Sequence, residues 1–143
     1  MKLPYLDTSA FAKWYVNESG SEAFTSFMSG KDGAVIGRLG LLEFRCLLSR
    51  RRRSGSLSEE LESETYRLFQ DDILSGVYEV HPLLDEHAIE ARALIERLPS
   101  HALRTLDALH LAMALGAGTE LLATADEVMA SAAEDLGLSV ERF

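Results

Sequence analysis

Apolar and polar positions follow two rhythms along this chain: short apolar runs, and longer stretches with apolar side chains three or four apart. Lys2 to Leu6 reads as a first strand, with Pro4 near its start, where a missing N–H is tolerated. It ends at Asp7-Thr8-Ser9. Helices are expected from about Ser9 to Val16 and from about Ser21 to Met28, parted by the turn Asn17-Glu18-Ser19-Gly20. Ala34-Val35-Ile36 is a second strand. Leu41, Phe44, Leu47 and Leu48 keep helical spacing in a helix expected from about Leu41 to Arg53, with Glu43 in its first turn. Ser56 and Glu59 form a capping-box pattern that opens a helix to about Phe69. Tyr78-Glu79-Val80 is a third strand. Asp85 to Leu98 is a helix with Ala88, Ala91, Leu94 and Ile95 on one face, stopped by Pro99.

The stretch from Leu103 to Asp126 organises the rest. Its helix begins near Thr105, the expected N-cap. From Leu106 to Leu115 it is apolar on almost every side, which marks a buried helix, yet Asp107 sits in its first turn. Leu121-Leu122-Ala123 follows as a buried strand that ends in Thr124 and Asp126. Val128, Met129, Ala132, Ala133 and Leu136 form the face of a last helix, stopped at Gly137, and Ser139 to Arg142 is a fifth, edge strand. Short strands alternating with helices predict one α/β domain over residues 1–143. It is a three-layer α/β/α sandwich around a central, mainly parallel five-stranded sheet.

Composition narrows the function. Hydrophobic residues make up 47% of the 143, enough for a substantial core. No apolar run approaches the ~20 residues that span a bilayer, and the N-terminus lacks a secretory signature, so a cytoplasmic protein with no membrane contact is expected. The single cysteine, Cys46, excludes an internal disulfide and a multi-thiolate zinc site. A net charge of −9 argues against a general electrostatic grip on nucleic acid but leaves room for a local one, at the basic run Arg50-Arg51-Arg52-Arg53.

Four acids stand out by position: Asp7 after the first strand, Glu43 and Asp107 in the first turns of helices, and Asp126 after the fourth strand. In a parallel sheet the strand C-termini and the helices that follow them share one edge, so these four can converge. Each alone has a plainer reading, as a helix cap or a partner of a helix dipole. Together in one cleft they repel, and the usual resolution is a hard divalent cation. Oxygen-only ligands select magnesium or manganese, and such a site suits phosphodiester hydrolysis. Thr8, Ser9 and Thr124 are placed to orient carboxylates.

The ordered pieces Tyr5-Leu6-Asp7-Thr8-Ser9-Ala10, Leu41-Leu42-Glu43-Phe44, Leu106-Asp107-Ala108-Leu109-His110-Leu111-Ala112 and Thr124-Ala125-Asp126 carry a resemblance. The chain resembles the PIN-domain ribonucleases, and among them the toxins of VapBC-type toxin–antitoxin pairs. The resemblance implies a PIN-like fold and a Mg2+- or Mn2+-dependent endoribonuclease acting on RNA. It implies Asp7, Glu43, Asp107 and Asp126 as catalytic metal ligands, Thr124 as a hydroxyl beside the metal, a homodimer, and a cognate antitoxin protein. The competing reading is a non-catalytic PIN-like module that dimerises and binds a regulatory partner.

Other residues have two readings each. Arg50 lies two helical turns beyond Glu43 and is the best candidate of its run for a phosphate contact, against the plainer reading of the run as a solvated helix end that complements the C-terminal dipole. His110, one turn past Asp107, is expected to be a packed, hydrogen-bonded core residue more than a general acid. Trp14 and Tyr15 are expected to pack, and Cys46 to be a small buried hydrophobe. Lys13 and Glu18 are left open as neighbours of the cleft.

Overall fold

A computed structural model describes residues 2–143. Its elements in chain order are β1 (Tyr5–Leu6), α1 (Thr8–Tyr15), α2 (Ser21–Ser29), β2 (Ala34–Gly37), α3 (Arg38–Arg53) and α4 (Glu59–Leu74). They continue with β3 (Tyr78–His81), α5 (Asp85–Arg97), α6 (Thr105–Gly116), β4 (Leu121–Thr124), α7 (Glu127–Asp135) and β5 (Ser139–Arg142). The strands form one sheet in the order β3-β2-β1-β4-β5, and every pairing is parallel. The chain therefore moves outward from β1 to β3 on one side, then returns to place β4 on the other flank of β1. That reversal makes the C-terminal ends of β1 and β4 a switch point, where parallel sheets open a crevice.

Alternation along the strands divides the core between two faces. Tyr5, Val35 and Leu122 point to one face and pack with Leu94, Leu111, Met113 and Met129 of α5, α6 and α7. Leu6, Ala34, Ile36 and Ala123 point to the other and pack with Phe11, Phe24, Phe44, Leu48 and Phe69 of α1 to α4. The second face is aromatic at its centre. Phe11 stacks on Phe69 at 5.3 Å, and Phe44 meets Phe69 edge-on at 4.8 Å. The expected three-layer sandwich is the observed one, and α6 is buried as its sequence implies.

Local boundaries differ from expectation for physical reasons. β1 is only Tyr5–Leu6; Pro4 lies before it, although its carbonyl still accepts from Val35 N at 2.8 Å. α3 starts at Arg38 directly after β2, so Glu43 sits in the second turn and not the first. Ser58, not Ser56, caps α4, accepting from Leu61 N at 3.1 Å, while the Ser56 hydroxyl donates back to Arg51 O. α6 is preceded by Arg104 as its N-cap, and Thr105 is its first helical residue. Cys46 is exposed, on the solvent face of α3, because its neighbours Phe44 and Leu48 take the core face. Gly37 has no room for a side chain: a Cβ there would lie 3.0 Å from Tyr5 Oη and collide with Met113.

Phe69→Ala, which empties the centre of the aromatic cluster, is expected to destabilise the protein by about 3–5 kcal/mol. Urea unfolding followed by circular dichroism would measure it.

Candidate active site

Asp7 follows β1 and caps α1. Its Oδ1 accepts from Ala10 N at 3.0 Å and from the Ser9 hydroxyl at 2.7 Å. Its Oδ2 accepts from the Thr124 hydroxyl at 2.6 Å, across the β1–β4 pairing. The side chain is buried, and burial pushes its pKa above the ordinary carboxylate range. The positive charge of His110 and the donors Thr124, Ser9 and Ala10 pull it back only in part. Thr124 is fully buried, and its hydroxyl also accepts from Asp126 N at 2.9 Å. Asp126 caps α7, with Oδ1 accepting from Met129 N at 3.0 Å. The ends of β1 and β4 are thus tied through Thr124, and both of their carboxylates begin helices.

Glu43 approaches from α3. Its Oε1 accepts from the Thr8 hydroxyl at 2.9 Å and from His110 Nε2 at 2.5 Å. Burial raises the Glu43 pKa, but the hydrogen bond and charge of His110 and the Thr8 hydroxyl outweigh it, so the carboxyl is held below its usual range. His110 is itself 2% exposed, and its Nδ1 lies 2.8 Å from Tyr5 Oη. Burial and the nearby Asp7 and Glu43 charges push the Tyr5 phenol far up, so it stays protonated. His110 is therefore the packed, hydrogen-bonded residue its position implies, and it also holds Glu43 from below.

Asp107 completes the set in the first turn of α6. Its Oδ2 accepts from Arg104 N at 3.1 Å and lies 3.9 Å from Arg104 Nε. All four acids singled out by their positions in the chain line one cleft of about 410 Å³, with His110 in its wall and Arg104 beside Asp107. Thr124 stands behind Asp7 and not in the lining. Among the described residues, hydrogen bonds fall on one oxygen only of Glu43, Asp107 and Asp126. Glu43 Oε2, Asp107 Oδ1 and Asp126 Oδ2 have no donor among the described residues. No three His, Cys, Asp or Glu side chains among the described residues already stand in ligand geometry about one point. The donor set is nonetheless the one a hard cation takes: carboxylate oxygens facing a shared cleft, with hydroxyls bracing them from behind.

Several other residues with two possible roles lie elsewhere. Lys13 and Glu18 pair with each other at 3.3 Å and are absent from the cleft. Trp14 is 39% exposed and packs edge-on against Phe24, while Tyr15 is half-buried and donates to Asp72. Arg50 is exposed and outside the acidic cleft. Tyr5 and Arg104, by contrast, belong to the site although their positions in the chain do not mark them. Tyr5 has the pattern of an ordinary strand residue and Arg104 that of an ordinary loop residue. Neither carries a linear signal, since each matters only through what it touches.

Asp7 is expected to cost the fold stability. Its folded-state pKa is raised, so the folded protein binds more protons than the unfolded one as pH climbs above the usual carboxylate value, and stability falls across that interval. Asp7→Asn removes the desolvated charge. In chelator-treated buffer the melting temperature of Asp7→Asn should exceed that of the parent at pH 7, and the gap should close toward pH 4. Thermal melts at several pH values would check both.

The PIN domain family model matches residues 5–135. Ribonuclease VapC45 of Mycobacterium tuberculosis (strain CDC 1551 / Oshkosh) is 35% identical over 120 residues, 82% of this chain and 78% of that protein. The crystal structure of M. tuberculosis VapC20, a sarcin–ricin-loop-cleaving toxin, matches with a TM-score of 0.71 at 18% identity, over 90% of this chain and 93% of that one. A toxin–antitoxin complex from Klebsiella pneumoniae matches with a TM-score of 0.58 at 13% identity, over 86% of both chains. With a family model spanning nearly its whole length and a relative above 30% identity, this chain belongs to the PIN-domain family.

Proposed function

We propose that this protein is a divalent-metal-dependent endoribonuclease, the toxin of a toxin–antitoxin pair, with Asp7, Glu43, Asp107 and Asp126 as the residues that hold Mg2+ or Mn2+. The observation that carries the reading is the meeting of four acids from four separate elements in one cleft, three of them with an oxygen that no group among the described residues engages. The kinship with ribonucleases named VapC supports RNA as substrate. The fold it shares with a chain of a toxin–antitoxin complex supports a cognate antitoxin as partner. A second copy of the chain completes the assembly in this reading.

Held by these acids, a divalent ion would polarise a water for attack and offset the charge on the leaving oxygen. The protein groups do the positioning. Thr124 and Ser9 hold Asp7 in one orientation, which a carboxylate on a free rotor would not keep. Thr8 and His110 fix Oε1 of Glu43 and leave its other oxygen free. Arg104 N pins Asp107 in the first turn of α6. Water is the nucleophile, so no side chain forms a covalent intermediate.

Cleavage of a mixed single-stranded RNA by the purified chain should require Mn2+ or Mg2+ and stop with chelator. Asp7→Asn and Asp107→Asn should each abolish cleavage while circular dichroism shows an intact fold. Full activity in Asp7→Asn would overturn the site. His110→Ala, which frees Glu43 without removing an acid, should lower Mn2+ affinity or cleavage rate by about 10–100-fold. Titration of Mn2+ by electron paramagnetic resonance reads the first, and gel-based cleavage the second.

A further inference from the structure

Arg50 to Arg53 form the densest basic run in an acidic chain. Ion pairing splits that run in two. Arg51 binds Glu18 at 2.7 Å, and Arg52 binds Glu62 at 3.2 Å and Glu59 at 3.3 Å. Arg50 and Arg53, at i and i+3, share the opposite side of α3. Among the described residues neither has an acidic partner, and both are exposed. Their side of the helix forms one wall of a groove of about 620 Å³, lined also by Leu42, Cys46, Leu106 and Glu43. Glu43 and Leu106 also line the acidic cleft, so groove and cleft adjoin at these two side chains. The groove is lined by exposed apolar surface: Leu42 is 65% exposed and Leu106 46%.

We propose that this groove on α3 holds single-stranded RNA running out of the acidic cleft, with Arg50 and Arg53 on its backbone phosphates. The proposal rests on the nuclease reading above for the identity of the strand. The charge balance favours RNA over other occupants. At a net charge of −9 the chain repels a polyanion in general, so a substrate phosphate entering the acidic cleft needs cations nearby that are not already neutralised. Arg50 and Arg53 meet that need on one face of one helix. A helical rise of 1.5 Å per residue sets them roughly 10 and 15 Å along the axis from Glu43, within a few nucleotides of a bond cut in the cleft. Such contacts hold register without reading sequence. The apolar side chains between the arginines and the cleft give the bases and sugars a surface to lie on.

The test uses the full chain without divalent metal, so that binding is read apart from cleavage. A fluorescent single-stranded RNA is titrated by anisotropy over a range of salt. The Arg50→Gln/Arg53→Gln pair should weaken binding on the order of tenfold and flatten the log–log salt slope by about 0.7 per arginine. Arg67→Gln/Arg97→Gln, an equal charge change at exposed positions of α4 and α5, should do neither. Cys46, the chain's one thiol, gives an independent footprint: bound RNA should slow its alkylation by a maleimide severalfold. An unchanged slope in the double variant, unchanged Cys46 reactivity under saturating RNA, or no RNA binding by the parent at low salt would each overturn the proposal. Loss of self-association by the double variant, with RNA binding intact, would give this face to a second copy of the chain and overturn it as well. Failure of metal-dependent cleavage with groove binding intact would instead strike the nuclease reading.

Discussion

A carboxylate buried at the end of the central strand sets the terms for this structure. Asp7 emerges where β1 stops, between the two strands that flank it, and water is nearly excluded. A charge so placed is costly unless donors surround it. Three do: the Thr124 hydroxyl from β4, the Ser9 hydroxyl and the Ala10 N–H from α1. The hydrogen bond between Thr124 and Asp7 therefore joins two strand ends as well as satisfying an acid. Because Thr124 also accepts from Asp126 N, the start of α7 is registered against the same point. Burial still wins in part and leaves the Asp7 pKa raised.

At three of the four candidate site acids, helix capping and the proposed site coincide. Asp7 and Asp126 each satisfy orphan N–H groups at the start of a helix, and Asp107 does the same for the N–H of Arg104. The plain reading and the functional reading of these acids are thus compatible, because a carboxylate has two oxygens. One oxygen of Asp107 and one of Asp126 close the helix end while the other is left for the cleft. Glu43 differs. It lies in the second turn of α3, too far along to cap, and is held instead by Thr8 and by the buried His110–Tyr5 pair. Gly37 matters to that pair at a distance, since any side chain there would crowd Tyr5 and Met113.

Charge is sorted by position in the same way. Of the four consecutive arginines, helical geometry turns Arg51 and Arg52 toward Glu18, Glu59 and Glu62 and leaves Arg50 and Arg53 beside the groove that adjoins the acidic cleft. Arg51 and Arg52 tie α3 to the α1–α2 turn and to α4; the exposed Arg52–Glu59 pair is worth little in stability, whereas Glu62, mostly buried, takes both Arg52 and Arg45. Acidic cleft and basic groove meet at Glu43 and Leu106, so the repulsive and attractive fields for a polyanion lie side by side on one surface.

Much of this is legible in the chain alone. Strand and helix periods, the near-complete burial of α6, and the capping roles of Asp7 and Asp126 follow from side-chain size, polarity and spacing, which act over a few residues and are written locally. A parallel sheet then carries strand ends and helix starts to one edge, so the four acids can be grouped from topology alone. What the linear pattern does not hold is contact between distant residues. That Ser58 and not Ser56 caps α4, and that Cys46 faces solvent, depended on where α3 ended and which of its sides met the aromatic cluster. That His110 grips Glu43, backed by Tyr5, and that Arg51 and Arg52 pair with acids while Arg50 and Arg53 find none among the described residues, were decided by tertiary packing. Partners more than ten residues apart are chosen by the fold's geometry, and no local preference encodes them.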